Sequence, residues 1–129
     1  MLKKIILLAI QSLFVIVSVE ANEQAQMYIY DMEVNIQSTK ANGKDWDISG
    51  GAPDLKVSVD GEFLAINQKC RNKYRCTVSF VSGKTSWYFE NYDRDIASDD
   101  LIGKGNCGVN KRCHLGRSDV MIKRRKNEN

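Results

Sequence analysis

From Tyr28 the chain alternates in polarity. Tyr28, Tyr30, Met32, Val34 and Ile36 are apolar, Asp31, Glu33 and Asn35 are polar, and only Ile29 is out of step. A period of two puts every second side chain on the same side of an extended chain, so this segment reads as a strand with one face buried. Leu55, Val57 and Val59 alternate with Lys56 and Ser58. They predict a second strand that turns at Asp60-Gly61, with residues 63–66 as its hairpin partner. A third strand is expected over residues 74–81 and a fourth, aromatic one over 85–92, carrying Trp87, Tyr88, Phe89 and Tyr92. The Ser82-Gly83-Lys84 turn between them predicts that these two form a hairpin. Residues 93–117 are rich in Asp, Gly and bases and read as loops with room for one short strand. Val120-Met121-Ile122 closes the pattern. No stretch after residue 21 shows a helical period. The prediction is an all-β fold, a small antiparallel β-sandwich of roughly six to eight short strands.

The start of the chain has a different character. Lys3 and Lys4 precede an apolar run over residues 5–19 that is broken only by Gln11, Ser12 and Ser18, and Val19-Glu20-Ala21 follows. A basic start, an apolar middle and small residues at the −3 and −1 positions describe a secretory signal peptide cleaved before Asn22. The run of about 15 residues is short of the roughly 20 that span a bilayer. The expected organisation is a signal peptide over 1–21, a flexible N-terminus over 22–26, the sandwich domain over 27–122 and a basic tail over 123–129. The chain is expected to be periplasmic or extracellular, peripheral to membranes rather than embedded in them, and monomeric.

Export changes how the cysteines are read. Cys70, Cys76, Cys107 and Cys113 all follow the leader, and the two pairs share the spacing C-x5-C. An even count in an oxidising compartment reads as two disulfides. Three pairings are possible. The local one, Cys70 with Cys76 and Cys107 with Cys113, is preferred because a tight turn already provides the close approach a disulfide needs. A zinc knuckle would use a tighter spacing of two to four residues.

With 129 residues, 43% of them apolar and 27% charged, the chain is one globular domain and too small for a two-domain enzyme. His114 is the single histidine, so no nucleophile–His–acid set can be built, and the domain is too small for a glycosidase cleft. The net charge of +3 and the absence of a base-stacking platform argue against nucleic acid. No enzyme activity is expected. Charge is instead local. Between residues 104 and 126 the bases far outnumber the one acid, Asp119, and end in Lys123-Arg124-Arg125-Lys126. Such a segment favours anionic lipid or another polyanion.

Acids cluster in two loops. One runs Lys44-Asp45-Trp46-Asp47-Ile48-Ser49-Gly50-Gly51-Ala52-Pro53-Asp54, and the other runs from Asp93-Arg94-Asp95 through Asp99-Asp100 to Leu101-Ile102-Gly103. Like carboxylates repel unless a cation lies among them, and hard cations such as Ca²⁺ take six to eight oxygens. An EF-hand is excluded. Starting from Asp93, Ser98 would stand where the sharp turn needs Gly, and Lys104 where a bidentate Glu belongs.

These motifs together resemble a C2 domain: an Asp-bearing first loop, an Asp leading into the alternating strand Leu55-Lys56-Val57-Ser58-Val59, a Trp-bearing strand, and a D-x-D loop ending in Leu-Ile-Gly. The resemblance covers about residues 27–103. It implies a calcium site formed by Asp47, Asp54, Asp93 and Asp95, closed by Asp100 or Asp99, with Asp45 outside it. It also implies an exported, disulfide-stapled, calcium- and phospholipid-binding module that docks to an anionic membrane or an envelope protein partner, the aspartate loops and the basic segment acting together. The competing expectation is a metal-independent structural or protein-interaction domain, of the inhibitor or immunity type, whose aspartates are only solvated turn residues.

Overall fold

The computed structural model describes residues 26–47, 50–95 and 98–126. The signal peptide expected over 1–21, most of the N-terminus over 22–26 and the last three residues of the tail lie outside the described residues. Eight strands form: β1 (Tyr28–Ile36), β2 (Leu55–Val59), β3 (Glu62–Phe63), β4 (Arg75–Ser82), β5 (Ser86–Asp93), β6 (Asp100–Gly108), β7 (Arg112–Leu115) and β8 (Ser118–Arg124). They make two antiparallel four-stranded sheets in the orders β4-β1-β8-β7 and β3-β2-β5-β6. No α-helix occurs among the described residues, only a 3-10 turn at Gln68–Cys70. The all-β sandwich expected from the alternation is the fold.

The two sheets bury the faces that the alternation marks. Tyr30, Met32, Val34 and Ile36 of β1, with Val78 and Phe80 of β4 and Val120 and Ile122 of β8, meet Leu55 and Val57 of β2, Trp87 and Phe89 of β5 and Ile102 of β6. The out-of-step Ile29 is on the outer face and 41% exposed. Aromatic rings join the sheets. Trp87 meets Tyr30 edge-on at 4.7 Å and Phe80 at 5.0 Å between centroids, and Phe80 meets Phe89 at 5.9 Å. Trp87 is thus core, and its indole N–H donates to Ser82 Oγ at 2.8 Å.

The structure corrects three local expectations. Strands β4 and β5 are not a hairpin. β4 pairs with β1, and β5 pairs with β2 and β6, so the short link between them turns the corner from one sheet to the other. Both strands bury every second residue, and those faces meet across the core; alternation fixes the buried face but not the lateral neighbour. Second, residues 93–117 are mostly strand. β6 is a nine-residue edge strand whose Gly103, Gly105 and Gly108 mask its pattern. Third, the partner of β2 is shorter than expected: β3 is only Glu62–Phe63, across a turn with Asp60 at φ 49° and Gly61 at φ 90°. Two positive φ values in a two-residue loop match the twist of a hairpin.

Gly103 explains the Leu-Ile-Gly ending of the third-loop motif. A Cβ there would collide with the backbone carbonyl of Leu115, while Arg117 N–H donates to Ile102 O at 2.8 Å. The β7–β8 turn thus rests directly on β6. Cys70–Cys76 and Cys107–Cys113 are the two disulfides, with Cα separations of 5.3 and 5.9 Å. The first ties the 3-10 turn to β4. The second closes the β6–β7 connection.

Chain direction sets the two ends of the sandwich. β1 runs into the loop over residues 37–54, Leu55 stands opposite Asp93, and Asp93 opposite Asp100. All the aspartate loops therefore leave the same end. β8 is antiparallel to β1, with Ile36 opposite Ser118 and Tyr30 opposite Arg124. It continues past Ile122 through Lys123 and Arg124, away from those loops.

Candidate metal centre

The burial of Asp93 follows from the pattern of β5. Trp87, Phe89, Asn91 and Asp93 lie two apart and all point inward, so the apolar ladder ends in two buried polar groups. A register shift in the β5–β6 pairing lies next to Asp93, between Asn91 and Tyr92. Such irregularities re-aim side chains near sites. Asp93 is fully buried. Its Oδ1 accepts the Asp54 N–H at 2.8 Å, whereas its Oδ2 has no hydrogen-bond partner among the described residues. Burial, with the charges of Asp95, Asp47 and Asp54 adding to it against the Asp54 hydrogen bond, pushes its carboxyl up to about 6.

Two other carboxylates join it. One oxygen each of Asp47, Asp93 and Asp95 lies within 4.8 Å of the others. Asp47 is half-buried and Asp95 exposed. Partial burial and the charges of Asp100 and Asp47 raise the Asp95 carboxyl, and Lys40 opposes them. The arrangement fits a hard divalent cation. Three carboxylate oxygens converge, one of them from buried Asp93, whose Oδ2 has no partner among the described residues, and oxygen donors are what Ca²⁺ takes. Bare carboxylates at this range raise one another's energy.

The first loop holds Asp47 by packing. Trp46 is buried, and its indole N–H donates to Gln37 O at 2.8 Å, so the residue before Asp47 is an anchor. On the other side a Cβ at Gly51 would lie 2.9 Å from Asp47 Oδ2 and 3.0 Å from Asn72 Oδ1. Asn72, at φ 56°, ties the loop from outside. Its side-chain oxygen accepts Ala52 N–H at 2.8 Å, and its own N–H donates to Asp54 Oδ1 at 2.6 Å.

The remaining expected acids lie around the converging three, with Asp100 within hydrogen-bond reach of Asp95. Asp54 is adjacent, its N–H bonded to Asp93 and its carboxylate to Asn72. Asp99 is paired with Lys56 at 2.9 Å, and that partner lowers its carboxyl below the usual range. Asp100 is paired with Lys40 at 2.7 Å. Asp45 is exposed. Trp46, Gly51, Asn72, Lys40 and Lys56 were not marked by the sequence patterns. A glycine pair before Pro53 was the one visible sign of a crowded backbone there.

The basic segment is engaged elsewhere. Arg125 donates to Asp31 from Nε at 3.1 Å and from Nη2 at 2.6 Å, and also to Ser79. The Arg124 guanidinium lies 4.4 Å above the Tyr28 ring. Lys123 stands opposite Asp31 in register. These contacts are in the part of β1 where the chain enters, about 17–26 Å from its loop end at 3.3 Å per strand residue. Antiparallel pairing of β1 and β8 therefore carries the tail bases away from the aspartate loops, whereas Arg117 of the same basic segment donates to Thr39 O in the first loop at 2.9 Å.

No protein-family model and no curated protein matches the chain. Among solved structures, a C2 domain is similar at 18% identity and TM-score 0.46, covering 77% of this chain and 98% of that one. A C2 domain protein from Ramazzottius varieornatus is similar at 15% identity and TM-score 0.39, covering 75% of this chain and 88% of that one. Among the described residues no helix is long and apolar enough to cross a membrane.

Proposed function

We propose that this is an exported C2-like binding module that takes Ca²⁺ at its loop end and docks that end to an anionic membrane or envelope partner. The observation that carries the reading is the convergence of carboxylate oxygens from Asp47, Asp93 and Asp95, with Asp93 buried and its Oδ2 unpartnered among the described residues. These three residues are the core of the site, with Asp54 beside them. A bound cation cancels their mutual repulsion and the negative field that otherwise repels an anionic surface. A ligand taken only by the folded state also stabilises it by mass action.

The lysine pairs favour a second reading for two of the expected ligands. Lys56 and Lys40 neutralise Asp99 and Asp100, which makes these acids structural ties of the third loop. The test is thermal unfolding with and without millimolar Ca²⁺. The protein should melt several degrees higher with Ca²⁺, and Asp93→Asn with Asp95→Asn should remove the shift, while Asp99→Asn should leave it. An unchanged melting curve for the native protein would leave the aspartates as solvated turn residues.

A further inference from the structure

The end of the sandwich remote from the aspartates has its own chemistry. Ile29 and Val81 are neighbours in the β1–β4 register on the outer face. They are 41% and 60% exposed, and Met27, just before β1, is 58% exposed. Three exposed large apolar side chains in one place are unlike the rest of that face, where Asp31, Glu33, Thr77 and Ser79 alternate outward. The β8 continuation borders them, with Arg125 N–H donating to Ile29 O at 2.8 Å.

Bases outnumber acids at this end, where Glu62 is also exposed. Asp31 is taken by Arg125, and Asp60 by Lys84 at 2.7 Å. Lys123 is exposed on this outer face, opposite Asp31 in the β1–β8 register and diagonal to Ile29, and exposed Lys126 follows just past the end of the same strand, while Arg124 lies over the Tyr28 ring. Lys111 lies in the β6–β7 turn, where Asn110 N–H donates to Ile122 O. Apolar side chains flanked by bases match the interface of an anionic bilayer, with the apolar groups entering the acyl boundary and the bases meeting headgroups. A water-soluble polyanion would give the apolar group nothing to enter.

We infer that this end is a second, metal-independent docking surface for an anionic lipid bilayer, formed by Met27, Ile29 and Val81 with Lys123 and Lys126. It does not rest on the calcium reading. Together with a calcium-loaded loop end it would give the molecule two opposed docking faces, able to hold two membranes.

The experiment is vesicle co-sedimentation in EDTA, using protein purified after expression of the full sequence, its amino terminus determined. Vesicles are phosphatidylcholine alone, or phosphatidylcholine with phosphatidylglycerol in equal parts. Binding should occur on the anionic vesicles, weaken with salt and survive Asp93→Asn. Lys123→Gln with Lys126→Gln should weaken it by about fivefold per base, and Ile29→Ser with Val81→Ser, both on the exposed face, should weaken it further while the melting curve stays cooperative. No binding in EDTA, equal binding to both vesicles, or loss of binding on Asp93→Asn alone would overturn the inference. Turbidity on adding Ca²⁺ reports the loop end separately. Sedimentation in EDTA without clustering in Ca²⁺ would keep this surface and remove the membrane role of the loops.

Discussion

Asp93 decides the chemistry of this domain because β5 carries it inward on the same face as Trp87 and Phe89. Its carboxyl, pushed up to about 6, stands well above the ordinary 3.9 of an unfolded chain. An acid whose folded value is raised contributes stability at low pH that is lost as pH rises through that value. The metal-free protein should therefore gain up to about 3 kcal/mol on acidification from pH 7 to below pH 4 from this group. The raised window lies roughly between pH 4 and 6. Below it, acids held down by partners, such as Asp31 beside Arg125 and Asp60 beside Lys84, lose their ties and oppose the gain. Denaturant melts across pH check this: a stability maximum near pH 5 is expected without metal, flattened by saturating Ca²⁺. Asp93→Asn keeps the acceptor for Asp54 N–H and removes the buried charge. It should raise the metal-free melting temperature by several degrees while removing the response to Ca²⁺. Gly51→Ala puts a methyl against Asp47 and Asn72 and should weaken Ca²⁺ affinity more than it lowers stability.

At the level of elements, the glycines of β6 and the aromatic bridge carry the tests. Gly103→Ala drives a Cβ into the Leu115 carbonyl, so the β7–β8 turn must lift from β6. A loss of about 1–3 kcal/mol is expected, as for overpacked sites. Phe80→Ala opens the core where Trp87 and Phe89 meet it and should cost about 3–5 kcal/mol. Chemical denaturation of the two variants checks both values. Strands β1 and β2 were legible in the sequence because their alternation is clean and one face is wholly buried. β6 was not, since Gly103, Lys104, Gly105 and Asn106 remove the apolar signal from an edge strand that leans on a turn backbone. Sheet membership of β4 and β5 was not legible either, since a corner and a hairpin can share one short turn. In the site, Asp47, Asp93 and Asp95 could be read from loop composition. The lysines that claim Asp99 and Asp100 could not, because Lys40 is 60 residues from Asp100 and only the fold joins them. One signal was available and unused: Trp87, Phe89, Asn91 and Asp93 share one period-two face, which already places a carboxylate in the core.

For the whole molecule, the two chemistries separate by end. Antiparallel pairing of β1 and β8 sends the aspartate loops to one end and Lys123, Arg124 and Lys126 towards the other. Removing Lys123 and Lys126 should therefore leave Ca²⁺ affinity unchanged, a point that titration of Lys123→Gln with Lys126→Gln checks directly. The central claim is that the buried carboxylate and its two neighbours hold Ca²⁺. Titration calorimetry of the folded protein with Ca²⁺ and with Mg²⁺ tests it most directly, set beside the same titration of Asp93→Asn. A saturable heat with Ca²⁺, weaker with the smaller ion that holds its waters and absent from a folded Asp93→Asn variant, is the predicted result. No heat with Ca²⁺, or the same heat from Asp93→Asn, would contradict the account.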